Sequence, residues 1–198
     1  MAIQILEQLF DSPVKARLLK LFLRNPNNIF RISEIGHRIQ TDLRVVRRQV
    51  EGLRKIGFLK RKTIRKKTKE KKPGIYFFVN PQFDFYQELR TLVLKSSPAS
   101  LKKIFRQIKK LGRIRLAILS GVFLNLDNSR VDLFIVGDNI SKRKLESFLR
   151  NLEADVGRAI NYAVFLTEDF NYRYEMFDRF ILDILEKPHQ KLINKLKI

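Results

Sequence analysis

The sequence predicts an α+β chain in two parts: a helical unit that ends in a basic hairpin, then a layer in which helices and strands alternate. Three observations carry this. Apolar residues recur at steps of three and four over residues 14–24 and again over residues 43–56, the period of helices with one buried face. Two strand-like runs, 58–65 and 75–79, flank the polar stretch KKTKEKKPG, the pattern of a hairpin. Beyond KSSPAS at 95–100, apolar strand runs and helical segments alternate, which indicates an α/β or α+β layer. The expected division is therefore 1–80, a connecting helix and linker at 81–100, and 101–198.

Charge bounds the function. The 198 residues hold 41 Lys and Arg against 20 Asp and Glu, a net charge of +21. Nucleic acid or an anionic membrane surface is the usual partner of such a chain; a ribosome-associated protein, or a charged protein with no specific partner, is the plainer alternative. Residues 1–90 carry 21 basic and 8 acidic residues (+13), and residues 91–198 carry 20 and 12 (+8). There is no cysteine, which excludes disulfides and thiolate metal sites and suits a reducing compartment. The N-terminus MAIQILEQLFDSPVK lacks a basic n-region and a long apolar run, so no signal peptide is expected. No stretch approaches the roughly 20 apolar residues that span a bilayer. A cytoplasmic location without a membrane partner is expected.

In the first part, Asp11, Ser12 and Pro13 open a mostly buried helix at 14–24 that closes before NPNN. Ser33 is the expected N-cap of a short helix at 34–39, and Thr41 and Asp42 cap a helix running from Leu43 to about Ile56 and ended by Gly57. On that last helix Leu43, Val46, Val50, Leu53 and Gly57 share one face. The opposite face carries Arg44, Arg48, Glu51 and Lys55, with Arg47 and Arg54 on its flank. A helix with one apolar and one arginine-rich stripe fits a major groove and presents Arg to guanine edges. Arg44, Arg47 and Arg48, near its start, are the candidates for base contact, and Arg54 and Lys55 for phosphate. A charged helix face is ordinarily only solvated; the tight turn at 39–42 favours the DNA alternative.

The hairpin adds nine basic residues and one acid between Lys60 and Lys72. Lys62, Arg65, Lys66, Lys67, Lys69, Lys71 and Lys72 are its candidate phosphate contacts, along the backbone or in the minor groove, with release of counterions. A plain flexible basic loop is the alternative.

The stretches SPVKARLLKLFLRNP, RISEIGHRIQ and DLRVVRRQVEGLRKIGFLKRK resemble the winged helix-turn-helix domain of ArsR-type transcriptional regulators. The resemblance covers about residues 12–79 and includes Leu53, Gly57 and Leu59 of its ending. It implies that 43–55 is a recognition helix and the hairpin a wing, and that flanking helices hold a homodimer. Many members of that family sense metals through Cys or His. This chain has only His37 and His189, too few for such a site, so neither a metal nor a cofactor is expected.

In the second part Phe83, Phe85, Leu89, Leu92 and Val93 suggest the connecting helix. A helix at 101–111 with a basic face, strands at 114–119 and 131–136, a helix at 141–154, a strand at 160–166 and a helix at 170–185 follow. Phe170, Tyr172, Tyr174, Phe177, Phe180 and Leu185 are expected in the core.

The stretch LAILSGVFLNLDNSRVDLFIVGD is similar to the minimal nucleotidyltransferase-like domain, over about residues 101–185. The family's active members follow the first strand with Gly-Ser, then place two Asp at i and i+2 and a third carboxylate on a later strand, to hold Mg²⁺ for phosphoryl transfer. Here Gly121 is followed by Val122, the first Asp position is Arg130, only Asp132 remains, and Asn161 stands near the third. A guanidinium repels Mg²⁺, and Arg130 is expected to pair with Asp132 instead. One carboxylate does not hold a catalytic metal pair. The second part is therefore expected to be a non-catalytic domain serving dimerisation, an effector or a protein partner. No phosphate-binding loop, zinc-hydrolase motif or nucleophile elbow occurs. A DNA-binding transcriptional regulator is the expected function; a nucleotidyltransferase enzyme and an RNA-binding module are the alternatives.

Overall fold

The computed structural model describes residues 2–64, 73–95, 100–126 and 129–198, with side chains from Leu6 onward. The chain is mixed α+β. It forms two compact units, residues 1–96 with 153–158, and residues 97–152 with 159–198.

The first unit begins with α1 (Ala2–Leu9), a helix for which the sequence carries no capping signal; Leu6 anchors it in the core. In α2 (Pro13–Arg24), Ser12 is the N-cap, accepting a hydrogen bond from the Lys15 amide at 3.2 Å, and Pro13 supplies the preset first turn. The helix is buried nearly all round through Leu18, Leu19, Leu21, Phe22 and Leu23. Two further helices, α3 (Ile32–Ile39) and α4 (Leu43–Lys55), precede an antiparallel pair, β1 (Leu59–Ile64) and β2 (Gly74–Val79). Residues 81–85 lead into α5 (Tyr86–Lys95), which packs on α2.

Two expectations are corrected here. Ser33 is not the N-cap of α3. Arg31 occupies that position in extended conformation, because Phe30 is fixed to Phe77 by two backbone hydrogen bonds of 2.9 and 2.8 Å, which hold the chain straight until Arg31. Thr41 does not cap α4 either; its hydroxyl bonds the Ile39 carbonyl, and Asp42 alone accepts from the Arg44 amide at 2.8 Å. Of the connecting helix's apolar residues, Phe85 and Leu92 are exposed, while Val93 is buried and Phe83 meets Phe58 edge-on at 5.7 Å.

Lys20 lies within the apolar surface of α2, only 2% exposed. Its ammonium donates to the Asp155 carbonyl at 3.0 Å, and Arg17 pairs with the Asp155 carboxylate at 2.9 Å. Burial pulls the Lys20 pKa down from 10.5 to about 8, against the attraction of Asp155. Between about pH 8 and 10.5 the unfolded chain therefore holds a proton that the folded chain has released, and stability rises with pH across that window. Urea unfolding at pH 7.5 and pH 10 is expected to show this gain in the wild type and its loss in Lys20→Met. A wild-type-minus-variant difference that does not change with pH would refute the buried ammonium.

The second unit contains α6 (Leu101–Ile108), β3 (Arg113–Leu119), a single 3₁₀ turn (Gly121–Phe123), β4 (Leu133–Asp138), most of α7 (Lys142–Val156), β5 (Tyr162–Phe165), α8 (Thr167–Glu175), α9 (Arg179–Glu186) and β6 (Gln190–Asn194). The sheet order is β5-β4-β3-β6, with β4 and β5 parallel and the other pairs antiparallel. Nearly every residue of β3 and β4 is buried, the mark of a sheet covered on both faces. Leu116, Ile118, Phe134 and Val136 share one core with Phe170 of α8 and with Ile181 and Ile184 of α9.

The expected helix at 170–185 is two helices. The chain turns through Phe177 at φ 54°, and Asp178 caps α9 by accepting from the amides of Phe180 at 2.9 Å and Ile181 at 3.3 Å. That break overturns the expected core: Phe170 is buried, but Tyr172, Tyr174 and Phe177 are exposed, Phe177 at 78%. β6 has no counterpart among the expected elements.

Candidate nucleic-acid interface

The arginine-bearing helix α4 is positioned by a tight turn. Gln40 takes a left-handed conformation at φ 51°, and the Thr41 amide closes back on the Gly36 carbonyl at 3.0 Å. A Cβ on Gly36 would stand 2.5 Å from Leu43 Cδ2 and 3.2 Å from the Thr41 carbonyl oxygen. Glycine at 36 is what lets α3 and α4 approach this closely.

Val46, Val50 and Leu53 point into the core, so the opposite face turns outward by helical geometry. Arg44, Arg47, Arg48 and Lys55 are exposed there. Leu43 departs from its expected place on the core face: 42% exposed, it lies at the helix start over Gly36 instead. Arg54 and Glu51 are turned to each other, with Arg54 Nε donating to Glu51 at 2.8 Å. The Arg54 hydrogen bond holds the Glu51 carboxyl below its ordinary range, helped by the charges of Arg54, Arg61 and Lys55. Arg61 belongs to β1, so a cation of the strand pair acts on the carboxylate of α4.

In the strand pair, Leu59, Phe77 and Val79 are buried at the root, while Lys60, Arg61 and Lys62 are exposed. Lys60 reaches Gln82 at 3.2 Å. Arg65, Lys66, Lys67, Lys69, Lys71 and Lys72 lie outside the described residues. A groove of about 800 Å³ separates α4 from β2. Leu43 and Phe77 line it together with Arg31, Arg47, Arg48 and Glu51. Arg31 is a contributor absent from the expected set. Its Nε donates to the Tyr76 hydroxyl at 2.9 Å, and its guanidinium lies 5.0 Å from the centre of that ring. As a single basic residue outside the charged tract, it gives no signal until the backbone bridge between Phe30 and Phe77 brings it beside β2.

In the second unit Gly121, Val122, Asp132 and Asn161 come together, but around a structural knot. The Asp132 carboxylate, 8% exposed, accepts the Val122 amide at 2.7 Å and the Asn161 amide at 2.9 Å. The Asp132 amide in turn donates to the Asn161 carbonyl at 2.7 Å. Gly121 has φ 52°, and a Cβ there would stand 2.1 Å from Asp132 Oδ1. Ser120, missing from the expected set, donates through its hydroxyl to the Val131 carbonyl. The expected Arg130–Asp132 pair does not form. Arg130 meets Asp183 of α9 at 2.9 Å, because the backbone amides already occupy the oxygens of Asp132. The carboxylate of Asp138 accepts from the Thr167 amide and hydroxyl at 3.1 and 2.8 Å, which keeps its pKa below the usual range.

His37 is exposed, and His189 Nδ1 lies 2.8 Å from the Lys187 carbonyl. Among the described residues no three His, Cys, Asp or Glu side chains stand where they would hold a metal ion, and no helix is long and apolar enough to cross a membrane. Comparison of the chain with protein-family models, with curated proteins and with solved structures finds no match.

Proposed function

We propose that this chain is a DNA-binding transcriptional regulator. In this reading the first unit is a winged helix-turn-helix of the ArsR type: α3, the turn and α4 form the helix-turn-helix, and β1 with β2 forms the wing. The observation that carries it is the outward stripe of Arg44, Arg47 and Arg48 on a helix whose other face is buried, with Arg47 and Arg48 lining a groove whose far wall is β2, and with Arg61 and Lys62 exposed on the paired strand β1. Such a stripe reaches guanine edges in a major groove, while the wing cations neutralise backbone phosphates. Glu51 and Arg54 shape the end of that stripe, and Lys55 supplies a further phosphate contact.

The second unit reads as a degenerate nucleotidyltransferase-like domain without catalysis, supported by the commitment of Asp132 to two backbone amides. Its place would then be dimerisation or the binding of an effector or protein. A homodimer would match the geometry of DNA half-sites, and the absence of cysteine supports a cytoplasmic location.

Selection of bound sequences from random duplexes with the purified chain tests the reading. A two-fold symmetric motif with half-sites about one helical turn apart, or a multiple of that, is expected. Recovery of unselected sequence, or displacement of all bound duplex by structured RNA at physiological salt, would refute it.

A further inference from the structure

We propose that the second unit carries its own phosphate cradle, formed by Lys109, Arg113, Arg115 and Lys195, and that it grips the sugar-phosphate backbone of duplex DNA. The choice of ligand rests on the regulator reading above; the cradle itself rests on geometry that the reading does not use.

A register shift between Ile114 and Leu116 leaves Arg115 without a partner on β4. Such bulges re-aim a side chain at the margin of a sheet. On the other side, the Lys195 amide donates to the Arg115 carbonyl at 2.8 Å, which continues the β6 pairing one residue past Asn194 and sets Lys195 beside Arg115. Lys109 follows the last turn of α6, its ammonium 4.2 Å from the centre of the Phe105 ring. The four cations surround a hollow of about 430 Å³, with the buried side chains of Ile114 and Ile193 in its lining. Gly112 keeps one wall bare, since a Cβ there would stand 2.7 and 2.8 Å from the carbonyl oxygens of Asn139 and Asp138.

Four like charges converge here with no acid in the lining. None of them makes an ion pair among the described residues. The nearby Asp138, opposite Arg113 across the strand pair, is already bound to Thr167. Asp138 attracts Arg115 and Arg113, but it is one carboxylate against four cationic residues in the lining, and a polyanion would neutralise the remaining charge. The lining also selects among phosphates. It has no aromatic ring to stack a base and no carboxylate to accept from a sugar hydroxyl or base edge.

The test uses the full chain. The variant Arg113→Gln, Arg115→Gln, Lys195→Gln replaces three exposed cations with neutral polar side chains, and its thermal melt should match the wild type. Fluorescence anisotropy with a 30-base-pair duplex at 50–200 mM NaCl is expected to show weakening of about tenfold or more at low salt. The slope of log K against log salt should become shallower by about 3, equally for every duplex sequence. Amide NMR signals of Gly112, Arg113, Arg115 and Lys195 should shift on adding the duplex.

An unchanged slope, or cradle signals that stay still while those of α4 move, would overturn the cradle and leave the regulator reading intact. Cradle signals that move while α4 is silent would support the cradle and sink that reading. Movement with inorganic polyphosphate but not with duplex would overturn the assignment to DNA. Absence of duplex binding would overturn both.

Discussion

Arg48→Ala is expected to erase the preference for one base pair in the selected site while leaving binding to unrelated duplexes nearly intact. Arg48 is exposed beside Arg47 in the lining of the groove and has no ion pair among the described residues. Its guanidinium is free to make the two parallel hydrogen bonds that a guanine edge offers. A contact of that kind discriminates by about 1–3 kcal/mol, roughly 5- to 150-fold in affinity for the selected site over its single-base variant. Lys62→Ala should behave differently. On the proposed reading it would remove a phosphate contact, weaken all sequences alike and lower the salt slope by about 1. Competition binding with the selected duplex, its single-base variants and random DNA separates the two patterns. If Arg48→Ala and Lys62→Ala weaken every duplex to the same degree, α4 does not read bases.

Gly121→Ala should unfold the second unit at a much lower temperature. Two costs combine. An alanine at φ 52° pays about 1–2 kcal/mol for a left-handed backbone. Its Cβ, 2.1 Å from Asp132 Oδ1, would also drive the carboxylate off the Val122 and Asn161 amides. A buried charge stripped of its partners costs about 3–5 kcal/mol by itself, so a total of at least about 3 kcal/mol is expected. At about 4–8 °C per kcal/mol for a domain of this size, the second unit's transition falls by more than about 10 °C. A variant that melts within 2 °C of the wild type would show that Asp132 does not hold the loop. The same carboxylate also gives a chemical check. Transfer of label from nucleoside triphosphates with Mg²⁺, abolished in a folded Asp132→Ala variant, would mean that Asp132 serves catalysis and would overturn the non-catalytic reading.

Much of the first unit was legible because its signals are local. Asp42 before Leu43, the spacing of Val46, Val50 and Leu53, and Gly57 at φ 83° fix α4 within the sequence itself. Arg31 was not legible, because it joins the groove only through a pairing between residues 47 positions apart. β6 was missed for a similar reason: QKLIN alternates weakly, and its partner β3 lies more than 70 residues upstream. The split between α8 and α9 turns on a left-handed Phe177, which no propensity favours; the capping Asp178 was the available clue. In the second unit, Gly121, Val122, Asp132 and Asn161 come together while Arg130 turns to Asp183, since backbone amides, invisible in a side-chain pattern, compete better for a buried carboxylate than Arg130 does.

The two hydrogen bonds between Phe30 and Phe77 have a mechanical consequence. They rivet the entry to α3 onto β2, so the arm and the helix pair cannot swing independently, and the width of the groove between them is written in main-chain pairing. On the proposed reading, exchange of side chains along the groove would change what it prefers without moving its walls.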